Sequence, residues 1–364
     1  MVPVGWALRA AGHEVRVAVP PSCVDAVAGA GLPALGTGQD VEVVRGTRDR
    51  RDGDGHAPRA RILNALDTFV GVAAAMAGDL VEHARTWRPD LVVHDPLAFA
   101  GPLAAAVLGV PSVRHLWGAD MTTNGDVTQA SLLAELSSFE ALLSRFGLRE
   151  LADLGTLTLD PCPPSVQVPA PVERQPIQYV PYNGPGVQPR WTTTLPPAPR
   201  VCVTWGRTVA RFAGRIGFPA RAVVEAALAE GAEVIVATTQ DQLPELPSGV
   251  RVAVSVPLHM LLPACSVIVH QGGGGTVLTS LRMGVPQLVL GQLPDHAFHA
   301  ERIAQSGVGL RLDPAEADVP RLRAELSRLL SEPSYAQAAR RVREEMLGLP
   351  MPAEVVGVLE RLGP

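Results

Sequence analysis

The sequence predicts an α/β protein of two domains, each built on a parallel sheet. The chain has 364 residues, which is long for a single core, and 47% of them are hydrophobic, enough to fill two cores. Short apolar runs alternate with helical patterns, and a proline-dense stretch at residues 161–199 divides this alternation in two. Such a pattern indicates helices packed on parallel strands. We therefore expect two facing Rossmann-like domains with a cleft between them.

The first half opens on a helix. Pro3 suits a first helical turn, and apolar residues between Val4 and Ala11 share one helical face before Gly12 ends the pattern. Residues 15–19 then alternate as a strand. The next predicted elements are a buried strand and a helix, at residues 91–93 and 98–108.

The beginning of the sequence does not fit the predicted fold. A doubly wound domain has a central strand before its first helix, whereas this sequence opens on the helix. Without that strand, two inner sheet edges would keep unpaired backbone groups. We therefore expect the natural protein to start roughly ten to twenty residues upstream of Met1. On this expectation, the first strand is missing and the chain as given is poorly stable and nearly inactive.

The second half repeats the α/β rhythm. Its predicted strands are residues 201–204, 233–237, 250–254, 266–269 and 287–290. Its predicted helices are residues 221–229, a helix from Thr276, and residues 353–362. Because proline is excluded from helix interiors and central strands, the later part of the proline-dense stretch is the predicted linker. The expected units are residues 1–181, the linker 182–199, residues 200–345, and a closing helical segment 346–364.

Composition excludes several classes of protein. The net charge is −5 and no basic block exceeds a few residues, which argues against nucleic-acid binding. No apolar run approaches the ~18 residues that span a bilayer, so we expect no membrane partner. Four widely spaced cysteines fit reduced thiols in the cytoplasm. Asp52 and Asp54 fall in a charged loop predicted at residues 45–61, so we expect no metal there.

The strongest local pattern is HQGGGGT at residues 270–276, between a predicted strand and a predicted helix. Four glycines let backbone amides approach an anion, and a helix N-terminus adds partial positive charge. The pattern therefore predicts a diphosphate cradle, with a flexible glycine turn as the alternative. A P-loop is excluded because the chain contains no Lys. A dinucleotide fingerprint fails because Val277 or Leu278 stands where its third glycine is required.

Several segments together resemble a known family. The cradle, SVPLHMLLP at 255–263, and GVPQ at 284–287 with Asp295 resemble the nucleotide-sugar signature of inverting GT-B glycosyltransferases. Other matches resemble the antibiotic transferases that act on macrolides and anthracyclines. These are VPVGWALRAAGHEV at 2–15, LWG at 116–118, YVPYNGP at 179–185 and PAEVVG at 352–357. The matches run in order from end to end.

The resemblance implies where a nucleotide-sugar donor binds. The amides of Gly273, Gly274 and Gly275, with the Thr276 hydroxyl, should hold the diphosphate, so Gly274→Val should block its approach. Further donor-site positions implied by the resemblance are Thr208, Ser255, Val256, Leu258, His270, Gln271, Asp295 and His296. Gln271 stands where the family has a His. Asp295 and His296 match the pair that meets the sugar hydroxyls, while His299 is expected on the helix surface.

The donor nucleotide is expected to be thymidine diphosphate. In related uridine-diphosphate enzymes, a Gln and a Glu hold the ribose hydroxyls. Leu258 and Thr279 occupy the matching positions here. Losing both acceptors fits a nucleotide without a 2′-hydroxyl, so the resemblance implies a dTDP-deoxysugar as co-substrate, no other cofactor and no metal.

The acceptor side is less complete. In the family a His removes the proton of the acceptor hydroxyl and an Asp holds that His. Asp95 matches the Asp, but the chain shows no counterpart of the His. Trp117 is expected in the acceptor site of the N-terminal domain, and residues 346–364 are expected to pack back on that domain. The resemblance implies a hydrophobic polyketide aglycone as acceptor, with a P450-like helper protein and a homodimer as further partners.

Three functions remain open on the sequence. The first is an active, inverting glycosyltransferase of antibiotic biosynthesis. The second is a non-catalytic nucleotide-sugar-binding or partner protein, which the missing His and Gln271 would fit. The third is another GT-B enzyme, such as a sugar-nucleotide epimerase, which the match at residues 116–118 disfavours. The pair His270-Gln271 resembles the anthracycline enzymes, which favours an aromatic polyketide as acceptor.

Overall fold

The structure, a computed structural model, describes residues 1–41, 58–123, 128–151, 155–194, 196–206, 218–242 and 245–363. The strands are β1 Val17–Val19, β2 Ala34–Gly36, β3 Val92–His94, β4 Ser112–His115, β5 Leu157–Asp160, β6 Arg174–Pro176, β7 Arg200–Val203, β8 Glu233–Thr238, β9 Arg251–Val254, β10 Val267–His270, β11 Gln287–Val289 and β12 Gly309–Arg311. The helices are α1 Val2–Ala10, α2 Val24–Ala28, α3 Pro58–Trp87, α4 Ala100–Leu108, α5 Gln129–Leu133, α6 Ser137–Arg145, α7 Ala220–Ala229, α8 Leu258–Leu261, α9 Gly274–Met283, α10 Pro294–Gln305, α11 Val319–Ser331, α12 Pro333–Leu347 and α13 Pro352–Glu360. The predicted α/β fold with two sheet-containing domains is confirmed.

The N-terminal half holds two parallel sheets. One contains β3, β4, β5 and β6 in that order, and the other contains β1 and β2. The predicted helix after β3 is present as α4, and Gly109 ends it in the left-handed conformation at φ 72°. Because every pairing is parallel, the strands carry their functional loops at one edge, the carboxyl edge.

Helix α3 was not predicted and is the longest in the protein. Leu66, Val70, Ala73, Ala77 and Val81 recur at helical spacing and are buried in a core shared with α4 and α6. By length and composition the helix could cross a membrane, but this buried stripe packs it on its own domain. The predicted loop at residues 45–61 is wrong at its end, because α3 begins at Pro58. Residues 45–57, with Asp52 and Asp54, lie outside the described residues.

The C-terminal half is one six-stranded parallel sheet with the order β12-β11-β10-β7-β8-β9. Its strands are buried on both faces. In β7, Val201 and Val203 face one hydrophobic core while Cys202 faces the other, as the two-residue period of a strand requires. Helices α7 and α11 cover the first face. The switch in strand order lies between β7 and β10, where ligands bind in folds of this kind.

The proline-rich segment and the closing helix join the two halves. Within the proline-rich segment, the edge strand β6 ends at Pro176, and residues 190–193 form a short 3-10 helix. Helix α13 packs Val355 and Leu359 against Val4 of α1 and Val113 of β4. The end of the chain is therefore part of the N-terminal core.

Candidate active site

The glycine run forms the turn between β10 and α9. Gly272 has φ +97°, and a Cβ there would lie 2.8 Å from the His296 carbonyl oxygen, so the position admits only glycine. Gly273 is the N-cap of α9. Among the described residues, the N–H groups of Gly273, Gly274 and Gly275 have no backbone acceptor. These donors at the positive end of a ten-residue helix form an anion site.

His270 and Gln271 directly precede Gly272, and their side chains contact different parts of the protein. The Gln271 Nε2 is so close to the backbone that a Cβ on Gly206 would lie 2.4 Å away and one on Gly273 2.9 Å away. The His270 Nε2 donates to Gln287 Oε1 at 2.9 Å, and its Nδ1 accepts from the Gly272 N–H at 3.0 Å. Burial lowers the pKa of His270 to about 4. Both ring nitrogens have partners inside the protein, so His270 supports the cradle from within.

Asp295 and His296 lie in the first turn of α10, and the His296 backbone contacts Gly272 of the cradle. The Asp295 side chain is 31% exposed, and its Oδ2 lies 3.8 Å from the His296 Nε2. His296 is buried, and burial lowers its pKa although the Asp295 charge acts in the opposite sense. Of the pair, Asp295 is therefore the group that a ligand in the cleft can reach.

His299 was expected on the helix surface, and this prediction is wrong. The side chain is 1% exposed, and its Nδ1 lies 2.9 Å from the Gly272 carbonyl oxygen. Helical spacing could have revealed it, because His296, His299, Ala300 and Ile303 form the buried face of α10.

Four buried polar atoms around the cradle have no hydrogen-bond partner among the described residues. They are Gln271 Oε1, Gln292 Oε1, His296 Nδ1 and His299 Nε2. Buried polar atoms are nearly always paired in folded proteins. Their concentration at this turn marks it as a polar site that a ligand or water completes.

A loop of the N-terminal domain rests directly on the cradle. A Cβ on Gly274 would lie 2.3 Å from the Trp117 carbonyl oxygen, and a Cβ on Gly118 would lie 2.5 Å from the His299 Nε2. The Trp117 and His299 rings meet edge to face at 5.9 Å. In Gly274→Val the side chain would therefore strike the Trp117 backbone, an obstacle that the sequence did not predict. Gly275, by contrast, faces open space, and Thr276 is half-buried beside it.

Buried charges hold this loop in place. The Asp120 carboxylate accepts hydrogen bonds from Arg114 at 2.9 Å and Arg174 at 3.2 Å, and from the hydroxyls of Thr122 and Thr123. Burial alone would raise the pKa of Asp120, but Arg114 and the two hydroxyls hold it below its usual value. Arg174 also lies 3.7 Å from Asp160. We call these four charged residues, Arg114, Asp120, Asp160 and Arg174, the Asp120 network.

Asp95 lies at the carboxyl edge of the N-terminal sheet. Its Oδ1 accepts from the Leu97 N–H at 2.8 Å. Because His94 pairs with Arg114 in the parallel register, Asp95 lies beside His115. The His115 Nδ1 lies 2.7 Å from the Leu116 carbonyl oxygen, and burial lowers its pKa to about 3. A nitrogen of that pKa is a poor general base at neutral pH, so His115 does not replace the expected His.

The expected nucleoside site is only partly free. Ser255 turns the chain at φ 54°, and Val256 and Leu258 are half-buried against a core of the C-terminal domain. Thr279 is buried. Its hydroxyl donates to the Gly275 carbonyl oxygen at 2.6 Å and meets Tyr179 and Asn183 at 3.1 and 3.2 Å. These two contacts from the proline-rich segment were not predicted from the sequence.

Two expectations remain, the donor contact of Thr208 and the absence of a metal. Thr208 lies outside the described residues. Within the described ranges, no group of three or more His, Cys, Asp or Glu side chains could hold a metal ion.

Comparison with known proteins identifies the family. Residues 6–206 match the N-terminal domain of the erythromycin biosynthesis protein CIII-like family, and residues 221–362 match its C-terminal domain. The chain is 36% identical to the 10-deoxymethynolide desosaminyltransferase of Streptomyces venezuelae over 398 aligned residues, covering 100% of this chain and 93% of that protein. It is also 36% identical to the TDP-daunosamine transferase DnrS of Streptomyces peucetius, with the same coverage.

A solved structure agrees with these matches. The spinosyn rhamnosyltransferase SpnG complexed with thymidine diphosphate has a TM-score of 0.83 and 34% identity, and the match covers 99% of this chain and 95% of that one. The similarity extends over both halves of the chain, so it confirms the resemblance that the motifs predicted. It supports an enzyme rather than a non-catalytic binding protein. The chain belongs to the erythromycin biosynthesis protein CIII-like family of GT-B glycosyltransferases.

Proposed function

We propose that this enzyme transfers a deoxysugar from a dTDP-sugar to a hydroxyl of a polyketide aglycone, with inversion and without a metal. The observation that carries the proposal is the glycine turn at the N-terminus of α9. Its three N–H groups, which have no backbone acceptor among the described residues, lie at the switch point of the C-terminal sheet, against the Trp117 loop of the other domain. A diphosphate bound there would present its sugar to the cleft between the domains.

On the donor side, the chain supplies charge stabilisation from its backbone. When the acceptor oxygen attacks the anomeric carbon, the bond from that carbon to the β-phosphate oxygen breaks, and dTDP leaves with the added negative charge. The amides of Gly273, Gly274 and Gly275, the Thr276 hydroxyl and the Gln271 amide are placed to bind that charge. Because these donors are fixed by the fold, they need no reorganisation during the reaction.

On the sugar and acceptor sides, Asp295 and Asp95 supply carboxylates. Asp295 would accept hydrogen bonds from the sugar hydroxyls, and His296 braces it from the interior. The proton of the acceptor hydroxyl would pass to the Asp95 carboxylate, and Trp117 would contact the aglycone beside it. Attack on the face opposite the leaving diphosphate in one displacement gives inversion at the anomeric carbon.

The choice of thymidine diphosphate is supported from two sides. The relative SpnG is solved with this nucleotide, and the two positions expected to read a ribose hold no carboxylate or amide. Leu258 is apolar, and the Thr279 hydroxyl is already used by Tyr179 and Asn183. One relative is a 10-deoxymethynolide desosaminyltransferase, and another is a TDP-daunosamine transferase. Macrolide and anthracycline-type aglycones are therefore the acceptors to test, with an aromatic polyketide first.

The decisive experiment combines a donor panel with an aglycone panel. We expect a new glycoside by mass spectrometry, one dTDP released per glycoside, and the opposite anomeric configuration by NMR. Parallel reactions with and without a P450-like helper protein test that partner, and sedimentation tests a homodimer. Binding of dTDP without transfer to any aglycone in either reaction would contradict the proposed function.

A separate measurement tests the absence of a metal. Backbone amides and neutral side chains form the diphosphate site, so we expect the affinity for dTDP to be the same with and without EDTA in calorimetry. A large loss of affinity on chelation would show that a cation bridges the phosphates.

We place the reaction in the cytoplasm, in keeping with four free thiols in the chain.

A further inference from the structure

We propose that His270 and His299 are positioning residues that hold Gly272 by its N–H and its carbonyl oxygen and thereby aim the amides of the diphosphate cradle. The proposal rests on the donor site described above and assigns these residues no contact with the donor.

Both polar backbone groups of Gly272 are hydrogen-bonded to histidine rings. Its N–H donates to the His270 Nδ1 at 3.0 Å, and its carbonyl oxygen accepts from the His299 Nδ1 at 2.9 Å. Both polar groups of one residue are thus fixed by side chains from different elements, the end of β10 and the middle of α10. These two hydrogen bonds fix a glycine whose φ is +97°.

Each ring must adopt one particular tautomer to make these hydrogen bonds. His270 accepts through Nδ1 and must carry its proton on Nε2, where Gln287 Oε1 receives it at 2.9 Å. His299 donates through Nδ1, which leaves Nε2 bare against Gly118. Each neutral ring therefore has one role, and neither can be exchanged for the other. Burial lowers the pKa of both rings, which keeps them neutral at physiological pH.

Packing against α10 restricts Gly272 further. The backbone of His296 closes the remaining side of Gly272, at 2.8 Å from the position of a Cβ. Gly272 is therefore enclosed between β10 and α10. Because Gly273 follows directly as the N-cap of α9, the direction of its N–H and of the next two depends on how Gly272 is held.

The test uses a matched pair of variants at position 299. The side-chain nitrogen of an Asn can occupy the place of the His Nδ1, whereas Leu has similar size and no donor. We expect His299→Leu to weaken dTDP binding about tenfold or more, the effect of one lost hydrogen bond in a buried site. His299→Asn should recover most of that affinity. Thymidine, which lacks the diphosphate, should bind the two variants equally in ligand-observed NMR.

These outcomes separate positioning from general damage to the fold. A residue that only stabilised the domain would lower thymidine and dTDP binding together. Equal dTDP affinities for wild type and His299→Leu, or equal losses for Leu and Asn, would overturn the proposal. If His299→Leu fails to fold, His299→Gln replaces it, since its amide lies one methylene too far; Asn and Gln binding alike would then overturn it.

The proposed function fails in a different way. If the wild-type chain binds no dTDP, the donor assignment is wrong before any variant is compared. If wild type and variants all bind dTDP with one affinity, the donor site stands and only the positioning role is lost.

Discussion

At the scale of single residues, Gly272 is the most constrained position of the site. We predict that Gly272→Ala destabilises the fold by about 1–3 kcal/mol, the cost of a left-handed non-glycine residue, because its Cβ would also press on the His296 carbonyl. Affinity for dTDP should fall as well. Gly275→Ala is the matched control, since a Cβ there meets no atom within 4 Å. Urea unfolding that gave the two variants equal stability would contradict this assignment.

Asp295 should distinguish the sugar from its carrier. We predict that Asp295→Ala lowers kcat/KM for the dTDP-sugar about 10- to 100-fold, the range of a lost hydrogen bond to a charged group. Binding of free dTDP should change little, because free dTDP has no sugar for the carboxylate to hold. Steady-state kinetics and calorimetry on the same preparation measure both. Parallel losses of turnover and dTDP binding would mean that Asp295 contacts the diphosphate instead.

At the scale of elements, α9 connects the cradle to the proline-rich segment. The Thr279 hydroxyl contacts the Gly275 carbonyl, Tyr179 and Asn183, whereas the neighbouring Ser280 hydroxyl donates only within the helix, to the Thr276 carbonyl at 2.7 Å. We predict that Thr279→Val lowers the free energy of unfolding by about 1–3 kcal/mol and Ser280→Ala by about 1 kcal/mol or less. Thermal unfolding of the pair checks this, and equal losses would show that the contacts to Tyr179 and Asn183 contribute nothing.

Elements were predicted best where an apolar repeat is bounded by a residue that ends it, such as a glycine. The strand before the cradle has apolar residues buried on both faces, and Gly109 and Gly284 end their helices in the left-handed conformation. Helix α3 was missed because a charged, glycine-bearing stretch precedes it, and its start at Pro58 was assigned to that loop. Local patterns could not show that Asn183 reaches α9, because that contact joins residues 96 positions apart.

At the scale of the whole molecule, stability should depend on the Asp120 network. Burial raises the pKa of Asp160 to about 6, against hydrogen bonds from the Cys162 N–H and Gln167 and the charge of Arg174. The folded chain therefore keeps this proton to higher pH than the unfolded chain, whose carboxyl titrates near pH 4. Its contribution to the free energy of unfolding consequently falls as the pH rises from about 4 to about 6.

Asp160→Asn tests this sign, because an amide cannot ionise. We predict that the stability of the variant relative to wild type increases by about 1–3 kcal/mol between pH 4 and pH 7. Comparing two chains at each pH cancels the other titrating groups. Urea unfolding at both pH values gives the difference, and Asp25→Asn, at an exposed position, is the control. A relative stability that does not change with pH would refute the raised pKa.

The donor half of the site was easier to predict than the acceptor half. Glycines 272–275 form one continuous turn, so their spacing alone indicated a cradle that the fold places at the carboxyl edge of the sheet. The buried position of His299 was missed, and the internal hydrogen bonds of His270 were not predicted, because both depend on which way each ring points, and a sequence does not show that. The contact of Trp117 with Gly274 joins two domains and depends on how the halves meet.

That contact matters for anyone who builds hybrid enzymes from this family. At the cradle the halves meet in two pairs, Trp117 with Gly274 and Gly118 with His299, and each half contributes one member of each pair. Joining the acceptor half of one parent to the donor half of another, in order to attach a different sugar, would break both pairs at once. A parent with any side chain at position 118 or 274 would force its new partner outward. Compatibility at these four positions should therefore predict which hybrids work better than overall identity does.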